Sequence, residues 1–218
     1  MCGRYAQISE VEKLRKLFGT VNPLPNTEPG WNVAPTRLVP VVRRHPETGA
    51  RHLDLLRWGL VPRSAQSITD KPQPINARSE TAAVVPMFRD AMARRRCLVP
   101  IDAFYEWQVT PHGKIPHAIA RADGDPIVAA GLWDGWRGPD GTVIRSFTIL
   151  TTTACTTLSH LHERMPVVLE PANFLQWLDD DHFAGLLRPS AASFRVWRVG
   201  AAVGNVRNDR PDLLDPIA

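Results

Sequence analysis

The chain has 218 residues, of which 44% are hydrophobic and 22% charged, a composition typical of a globular protein with one good hydrophobic core. It contains no run of about 18 apolar residues and no apolar signal core at its N-terminus, so we expect no membrane attachment, no secretion and a cytoplasmic location. The net charge of +4 permits nucleic-acid binding without establishing it.

The first predicted element is a helix over residues 9–18, with Ser9 as its N-cap and Glu12 completing a capping box. A connection rich in Pro, Asn and Gly follows as far as Thr36. Short strands are then predicted at residues 38–44, 51–58, 95–101, 103–109, 116–121, 126–133, 146–152, 165–170 and 194–199. The turn sequences between them are HPETG, TPHGK, RADGD and RGPDG, and their HG and DG pairs predict hairpins.

Two further stretches have helical patterns. Residues 79–95 contain Pro86, which should divide them into two helical pieces. Residues 173–189 are predicted to form one or two helices that end before Pro189. There is no internal repeat and no linker sequence. We therefore predict a single α+β domain over residues 1–218, with a curved, mostly antiparallel or barrel-like sheet and a few peripheral helices.

The three cysteines are Cys2, Cys97 and Cys155. Their odd number and wide spacing, with no C-x-x-C pair, argue against a disulfide framework or a metal site, and we expect neither metal nor cofactor. Cys97 and Cys155 lie in apolar or hydroxyl-rich runs that favour burial, whereas Cys2 has no such setting. If Met1 is removed, Cys2 carries both a free α-amine and a thiol.

Polar side chains interrupt two otherwise apolar segments. In PINARSET, Asn76 and Arg78 share a face if the segment is extended, and an amide beside a guanidinium could clamp an anion or a sugar. Taken alone, a loop residue and a solvated arginine explain this pair better. In DAFYEW, Glu106 lies between two aromatic residues, a setting typical of either an exposed strand residue or an acid–base group.

The segment HLHERMP places His160, His162 and Arg164 on one face if it is extended. Histidine is the usual proton carrier near neutral pH, which favours proton transfer here. A metal site is less favoured because no third ligand is evident, and a purely structural His160 stays an open alternative.

Eight segments between residue 1 and about residue 170 follow one another in a recognisable order: MCGRYA, WNVAPT, RWGLVP, INARSET, RCLVPIDAFYEW, AGLWDGW, FTILTT and LHERMPVVL. In these segments the chain resembles the SRAP proteins, which are named SOS-response-associated peptidases and are also known as abasic-site shielding proteins. The resemblance implies a β-rich domain with an active site built on the N-terminus that Met1 removal exposes. It also implies a DNA-associated protein of the bacterial cytoplasm, which we expect to be a monomer.

The resemblance further implies a reaction and four catalytic residues. Cys2 would form a covalent thiazolidine crosslink with an abasic site in single-stranded DNA, shielding the lesion during the DNA damage response. Asn76 would position Cys2 and the sugar, and Glu106 would orient the α-amine and shuttle protons. His162 would donate and accept protons when the sugar ring opens and when the crosslink reverses.

The remaining implied residues contact DNA. Arg78 and Arg164 would hold the phosphates that flank the lesion, and Arg4 would be a further phosphate contact. Gly3 would let the DNA backbone come close to the N-terminus. Trp58 is expected either to be scaffold or to face the DNA.

One position departs from the pattern of the family. Many members have an aromatic residue two positions after RWGLVP, where this chain has Ser64. The loss of a stacking platform would cost about 1–3 kcal/mol per base. Arg63 could partly compensate by contacting a phosphate.

Two other functions stay open from the sequence. Cys2, His162 and either Asn76 or Glu106 could form the thiol triad of a cysteine peptidase with N-terminal autoprocessing. Alternatively, the 22 arginines and seven tryptophans suit a module that binds single-stranded DNA without covalent chemistry. Loss of adduct or of peptide turnover in Cys2→Ala, and the preference for abasic over intact strands, distinguish the three functions.

Overall fold

The structure is a computed structural model that describes residues 2–68 and 73–217. Its strands, in chain order, are β1 Tyr5–Gln7, β2 Gly30–Val33, β3 Leu38–Arg44, β4 Arg51–Trp58, β5 Asn76–Arg78, β6 Arg96–Ile101, β7 Ala103–Thr110, β8 Gly113–Arg121, β9 Ile127–Arg137, β10 Val143–Thr153, β11 Arg164–Pro166 and β12 Phe194–Arg198. The α-helices are α1 Val11–Phe18, α2 Pro86–Arg94 and α3 Phe174–Asp179. Short 3-10 turns cover Pro171–Asn173, Ala184–Leu186, Ala201–Gly204 and Pro211–Leu214.

The strands form two sheets. One has the order β12–β8–β7–β1–β2. In the other, β4, β3, β6, β9 and β10 pair in succession, and β10 pairs back onto β4, so this sheet closes into a barrel. Among the described residues, the strand pairings are antiparallel except those of β10 with β4 and β5. These features confirm the predicted α+β domain with a mostly antiparallel, barrel-like core.

Alternation along the barrel strands separates two apolar clusters. In β6, Cys97, Val99 and Ile101 point into an interior cluster, whereas Leu98 points outward. The outer cluster lies beneath the three helices. The interior cluster also contains residues of the other sheet and of the N-terminus, namely Cys2, Tyr5, Val33, Phe104 and Ile119.

Most predicted strands are confirmed, and those at residues 38–44 and 51–58 match β3 and β4. The HG and RGPDG turns do form the β7–β8 and β9–β10 hairpins. The RADGD turn does not form a hairpin, because it leads from β8 in one sheet to β9 in the other. The strands β1 and β2 were not predicted, and β11 is shorter than the predicted strand at 165–170.

Two of the helix predictions need correction, and the third is confirmed. The N-cap of α1 is Glu10, and no side chain caps this helix, because the Ser9 hydroxyl donates instead to Asp102 Oδ1 at 2.5 Å. Residues 79–85 are turns, so the predicted region 79–95 contains one helix, which begins at Pro86. The region 173–189 contains α3 and a 3-10 turn, which confirms the prediction of one or two helices that end before Pro189. No helix of the described residues is long and apolar enough to cross a membrane.

Candidate functional site

Cys2 lies just before β1 and is completely buried in the interior cluster. Strand β1 pairs with β7, and the Tyr105 amide donates to Arg4 O at 2.9 Å, which extends the pairing towards the N-terminus. The expectation that Cys2 lacks an apolar setting is therefore wrong. Its burial comes from residues that are distant in sequence, which its immediate neighbours do not reveal.

The thiol of Cys2 is held in its neutral form. Burial raises its pKa well above the usual range, and the negative charge of Glu106 raises the pKa further. Glu106 is itself buried, at 6% exposure, on β7. A carboxylate close enough to act on the thiol is therefore enclosed with it, on the face of β7 that also carries Phe104.

Asn76 contacts Cys2 from the barrel. Its strand β5 pairs in parallel with β10, with Asn76 beside Ile149. Asn76 Nδ2 donates a hydrogen bond of 2.8 Å to the carbonyl oxygen of Cys2. Its Oδ1 is buried and has no hydrogen-bond partner among the described residues. A buried acceptor without a donor is costly, so this oxygen is available to a donor that enters the site.

His162 lies two residues before β11. The Arg164 amide donates to His162 Nδ1 at 2.9 Å, so in the neutral ring the proton is on Nε2. The neighbouring Leu158 and Leu161 belong to the interior cluster that contains Cys2. The Nε2–H of His162 is therefore a hydrogen-bond donor beside that cluster.

The two arginines that follow these catalytic candidates have different surroundings. Strands β5 and β11 flank the end of β10, because Thr151 pairs with Arg78 on one side and with Pro166 on the other. Arg78 is exposed and makes no ion pair or hydrogen bond through its side chain to the described residues.

Arg164, by contrast, is engaged. It donates to both carboxylate oxygens of Glu80, at 2.6 and 2.8 Å, and to Thr151 O at 2.5 Å. The hydrogen bond from Arg164 lowers the pKa of Glu80 to about 2. Glu80 therefore carries a full negative charge at neutral pH and occupies the fork of Arg164 that a phosphate would use.

Known proteins resemble this chain over its whole length. A family model described as SOS response associated peptidase (SRAP) matches residues 1–206. The chain belongs to the SRAP family. It is 34% identical to the abasic site processing protein YoqW of Bacillus subtilis, with 99% of each chain covered, and 34% identical to the abasic site processing protein YedK of Escherichia coli, with 100% of each covered. A crystal structure from Bacteroides thetaiotaomicron shares the fold, with a TM-score of 0.88 at 20% identity and 100% of each chain covered.

One expected DNA contact of this SRAP domain, Trp58, lies within the scaffold. Trp58 is completely buried, where its ring packs on Tyr5 and Phe147 and its Nε1 donates to Ile75 O at 2.9 Å. The expectation that Trp58 could face DNA is wrong, because its indole has no exposed surface. Gly3 is half-buried beside Cys2.

Arg4 takes part in a network that sequence reasoning missed. Its Nη1 donates to Asn32 Oδ1 at 2.9 Å and to Val203 O at 3.0 Å, and burial lowers its pKa. Asn32, in the WNVAPT segment, is completely buried. Its amide donates to the carbonyls of Val203, Asn205 and Asn208 at 3.1, 3.2 and 2.8 Å. The sequence offers one weak signal that Asn32 holds these carbonyls, which is a polar amide side chain in the WNVAPT segment, where no strand was predicted.

The segment after RWGLVP is tied to β9. The amide and Nε of Arg63 donate to Asp134 at 3.0 and 3.2 Å, and Trp136 Nε1 donates to Ala65 O at 2.8 Å. Ser64 is exposed between these anchors. Asp134 and Trp136 of the AGLWDGW segment thus position this SRAP loop, and the signal for Asp134 is an acid in an otherwise apolar strand.

Proposed function

We propose that this SRAP protein processes abasic sites in single-stranded DNA by forming a thiazolidine crosslink through Cys2 after Met1 is removed. The names of its bacterial relatives supply the substrate class. The observation that carries the proposal is that Asn76 and Glu106 both act on Cys2, the residue that becomes the chain terminus. The site thus encloses a residue that brings an amine and a thiol together.

The reaction balances without a cofactor. The α-amine of Cys2 attacks the aldehyde carbon of the ring-opened abasic sugar, and the resulting carbinolamine loses water to give an imine. The Cys2 sulfur then bonds to the imine carbon, and the thiol proton passes to the nitrogen. One water is released overall, and the second step is intramolecular, which favours ring closure strongly.

Glu106 suits the proton transfers of the first step. A terminal α-amine has a reference pKa of about 8, so at neutral pH it is mostly protonated and must lose a proton before it attacks. The carboxylate of Glu106 accepts this proton and returns it to the hydroxyl group that leaves as water. The thiol reacts second, because the carbon to which it bonds is the imine carbon that the amine has formed.

Asn76 and His162 supply the remaining polar contacts. Asn76 holds the Cys2 carbonyl through Nδ2, and its unsatisfied Oδ1 accepts a hydrogen bond from the freed amine or from a sugar hydroxyl. His162 offers Nε2–H to the sugar ring oxygen as the ring opens, and the same nitrogen serves reversal of the crosslink. Arg78 and Arg164 hold the flanking phosphates, with Arg164 leaving Glu80 to do so.

The electrostatics of the site argue against a general cysteine peptidase. Such an enzyme attacks as a thiolate and lowers the pKa of its cysteine to form it. Here burial and Glu106 both raise the pKa of the Cys2 thiol. A thiol that acts only after an imine has formed does not need to ionise beforehand.

The deciding experiment is the intact mass of the purified protein, alone and after incubation with a single-stranded oligonucleotide that carries one abasic site. We expect loss of Met1 and an adduct whose mass is protein plus DNA minus one water. Cys2→Ala should form no adduct, whereas Cys155→Ala, which removes a half-buried cysteine within the chain, should still form it.

Three results would contradict the proposal. They are an adduct that persists in Cys2→Ala, a processed wild-type chain that forms no adduct, and salt-sensitive binding with no preference for abasic over intact strands. The last result would favour the non-covalent binding module.

A further inference from the structure

A row of polar residues crosses the five-stranded sheet beside the candidate site. Glu106 on β7 is directly opposite His117 on β8, and His117 is directly opposite Arg198 on β12. Residues that are directly opposite on neighbouring strands share a face of the sheet. The row therefore begins at the carboxylate that acts on Cys2 and ends at an arginine on the edge strand.

The apolar row next to it shows which face this is. Phe104, Ile119 and Val196 are two residues away on the same three strands. Phe104 and Ile119 belong to the interior cluster that contains Cys2, and Val196 packs against that cluster. The polar row therefore lies on the Cys2 side of the sheet, at the end of the apolar cluster.

The segment that carries His162 reaches the same place. Burial lowers the pKa of His117, and the nearby charges of Arg198 and His160 lower the pKa further, although a hydrogen bond to Ile115 O at 3.1 Å opposes this. A carbonyl only accepts, so His117 Nδ1 carries the proton of the neutral ring. His117 is therefore an uncharged spacer that separates Glu106 from Arg198.

The charge of Arg198 is not compensated. Arg198 and His160 are exposed, and neither makes an ion pair or a side-chain hydrogen bond with the described residues. Many other arginines are paired with carboxylates, as Arg37 is with Asp209 and Arg121 with Glu170. Beside the site, Arg78 and Arg198 thus present free guanidinium groups to solvent.

These two arginines belong to different sheets, and each sheet also carries a residue that acts on Cys2. Arg78 follows Asn76 on β5 of the barrel, whereas Arg198 belongs to the row that starts at Glu106 on the other sheet. With strands about 4.8 Å apart, Arg198 is two strands and about 10 Å from Glu106 along the sheet. A DNA strand held at Cys2 can therefore meet one arginine on each side.

We propose that Arg198, assisted by His160, is a second phosphate-binding position for the DNA strand, on the side of Cys2 opposite Arg78. This inference rests on the proposed function and extends it to the path of the strand. The guanidinium of Arg198 donates to phosphate oxygens, and His160 offers a further N–H. His117 lies between Arg198 and Glu106 in the row, so that the guanidinium of Arg198 stays available to a phosphate.

The test is the salt dependence of binding to an intact single-stranded oligonucleotide, measured by fluorescence anisotropy. Arg198→Gln should weaken binding about fivefold, as for one accessible charge contact. It should also reduce the slope of log K against log salt by about 0.7. The matched control is Arg195→Gln, on the same strand, where Arg195 stacks on Trp197 at 4.3 Å on the opposite face. Arg195→Gln should keep the wild-type slope, and Arg198→Lys should restore it.

A second measurement tests the polarity of the strand. Crosslinking at limiting protein is compared for oligonucleotides that extend only 5′ or only 3′ of the abasic site. Arg198→Gln should slow the reaction with one of the two and not with the other. Equal losses with both oligonucleotides, equal salt slopes in Arg198→Gln and wild type, or the same loss in Arg195→Gln would overturn the inference.

Failure of the inference is distinguishable from failure of the proposed function. If the wild-type protein forms no adduct, the proposed crosslinking function is wrong. The salt slopes with intact DNA still decide whether Arg198 binds a phosphate, because they do not depend on covalent chemistry.

Discussion

The side-chain amide of Asn76 donates to the main-chain carbonyl of Cys2 across 2.8 Å, although 74 positions separate the two residues in the chain. This bond joins the N-terminal segment, which belongs to one sheet, to a strand of the barrel. It fixes the position of the residue on which the proposed chemistry depends.

Loss of this bond should slow the proposed reaction. We expect Asn76→Ala to reduce the single-turnover rate of crosslinking at least about tenfold, since one lost hydrogen bond costs about 1 kcal/mol and leaves Cys2 less well oriented. Asn26→Ala, at an exposed asparagine, is the matched control and should keep the wild-type rate. A wild-type rate in Asn76→Ala would contradict the role assigned to this bond.

Glu80 should compete with DNA for Arg164. We expect Glu80→Gln to increase the affinity for intact single-stranded DNA about threefold at low salt, because Arg164 loses its carboxylate partner. Glu10→Gln changes the net charge equally at an exposed glutamate outside the site and should have a smaller effect. An equal gain in affinity in both variants would show that the effect comes from net charge alone and would contradict competition at Arg164.

The same pair should contribute a pH-dependent stability. The pKa of Glu80 is lowered from its usual 4.5 to about 2, so the contribution of the pair is complete above pH 4.5 and is lost as the pH falls towards 2. Because Glu80 is nearly half exposed, we expect less than about 1 kcal/mol. Urea unfolding should show wild type and Glu80→Gln converging in this acid range; a constant difference down to pH 2 would refute the assignment.

Asn32 should hold the C-terminal segment in place. We expect Asn32→Ala to destabilise the protein by about 2–4 kcal/mol, because it removes three hydrogen bonds to main-chain carbonyls and one of the two acceptors of Arg4 Nη1. Hydrogen exchange of residues 200–210 should accelerate more than that of the barrel strands. An unchanged free energy of unfolding would show that water replaces the amide at no cost.

Trp58 should matter for stability and not for contact with DNA. We expect Trp58→Phe to lower the free energy of unfolding by about 2–3 kcal/mol, through the cavity it leaves and the lost bond to Ile75 O. The affinity for intact single-stranded DNA, measured well below the melting temperature, should stay at the wild-type value. Weaker binding without a loss of stability would restore Trp58 as a DNA contact.

Local signals predicted the parts of the fold that are stabilised locally. The strands β3 and β4 form a hairpin across the HPETG turn, so alternation and turn chemistry suffice to find them. Strands β1 and β2 are only three and four residues long, and β1 also depends on pairing with β7, about a hundred residues away. No local pattern carries that information. Ser9 failed as a helix cap for the same reason, since Asp102 competes for its hydroxyl.

The candidate site divides in a similar way. Spacing placed Asn76 with Arg78, because residues two apart share a face of an extended segment and β5 is extended there. The extended interpretation of HLHERMP is wrong for His160, which lies in a turn, and the strand begins only at Arg164. Spacing did not reveal that Arg164 binds Glu80, that Arg4 binds Asn32, or that His117 and Arg198 continue the row of Glu106. These relationships depend on which strands become neighbours.

For Cys2, the sequence by itself determined which reactive groups the residue can offer: removal of Met1 adds a free α-amine to the thiol of a second-position cysteine. Only the tertiary structure decided its surroundings. Desolvation and the charge of Glu106 raise the pKa of its thiol, and Asn76 anchors its carbonyl. These effects fall off over a few ångströms, so they depend on the packing of the N-terminal segment against β7 and the barrel and not on neighbours in the chain.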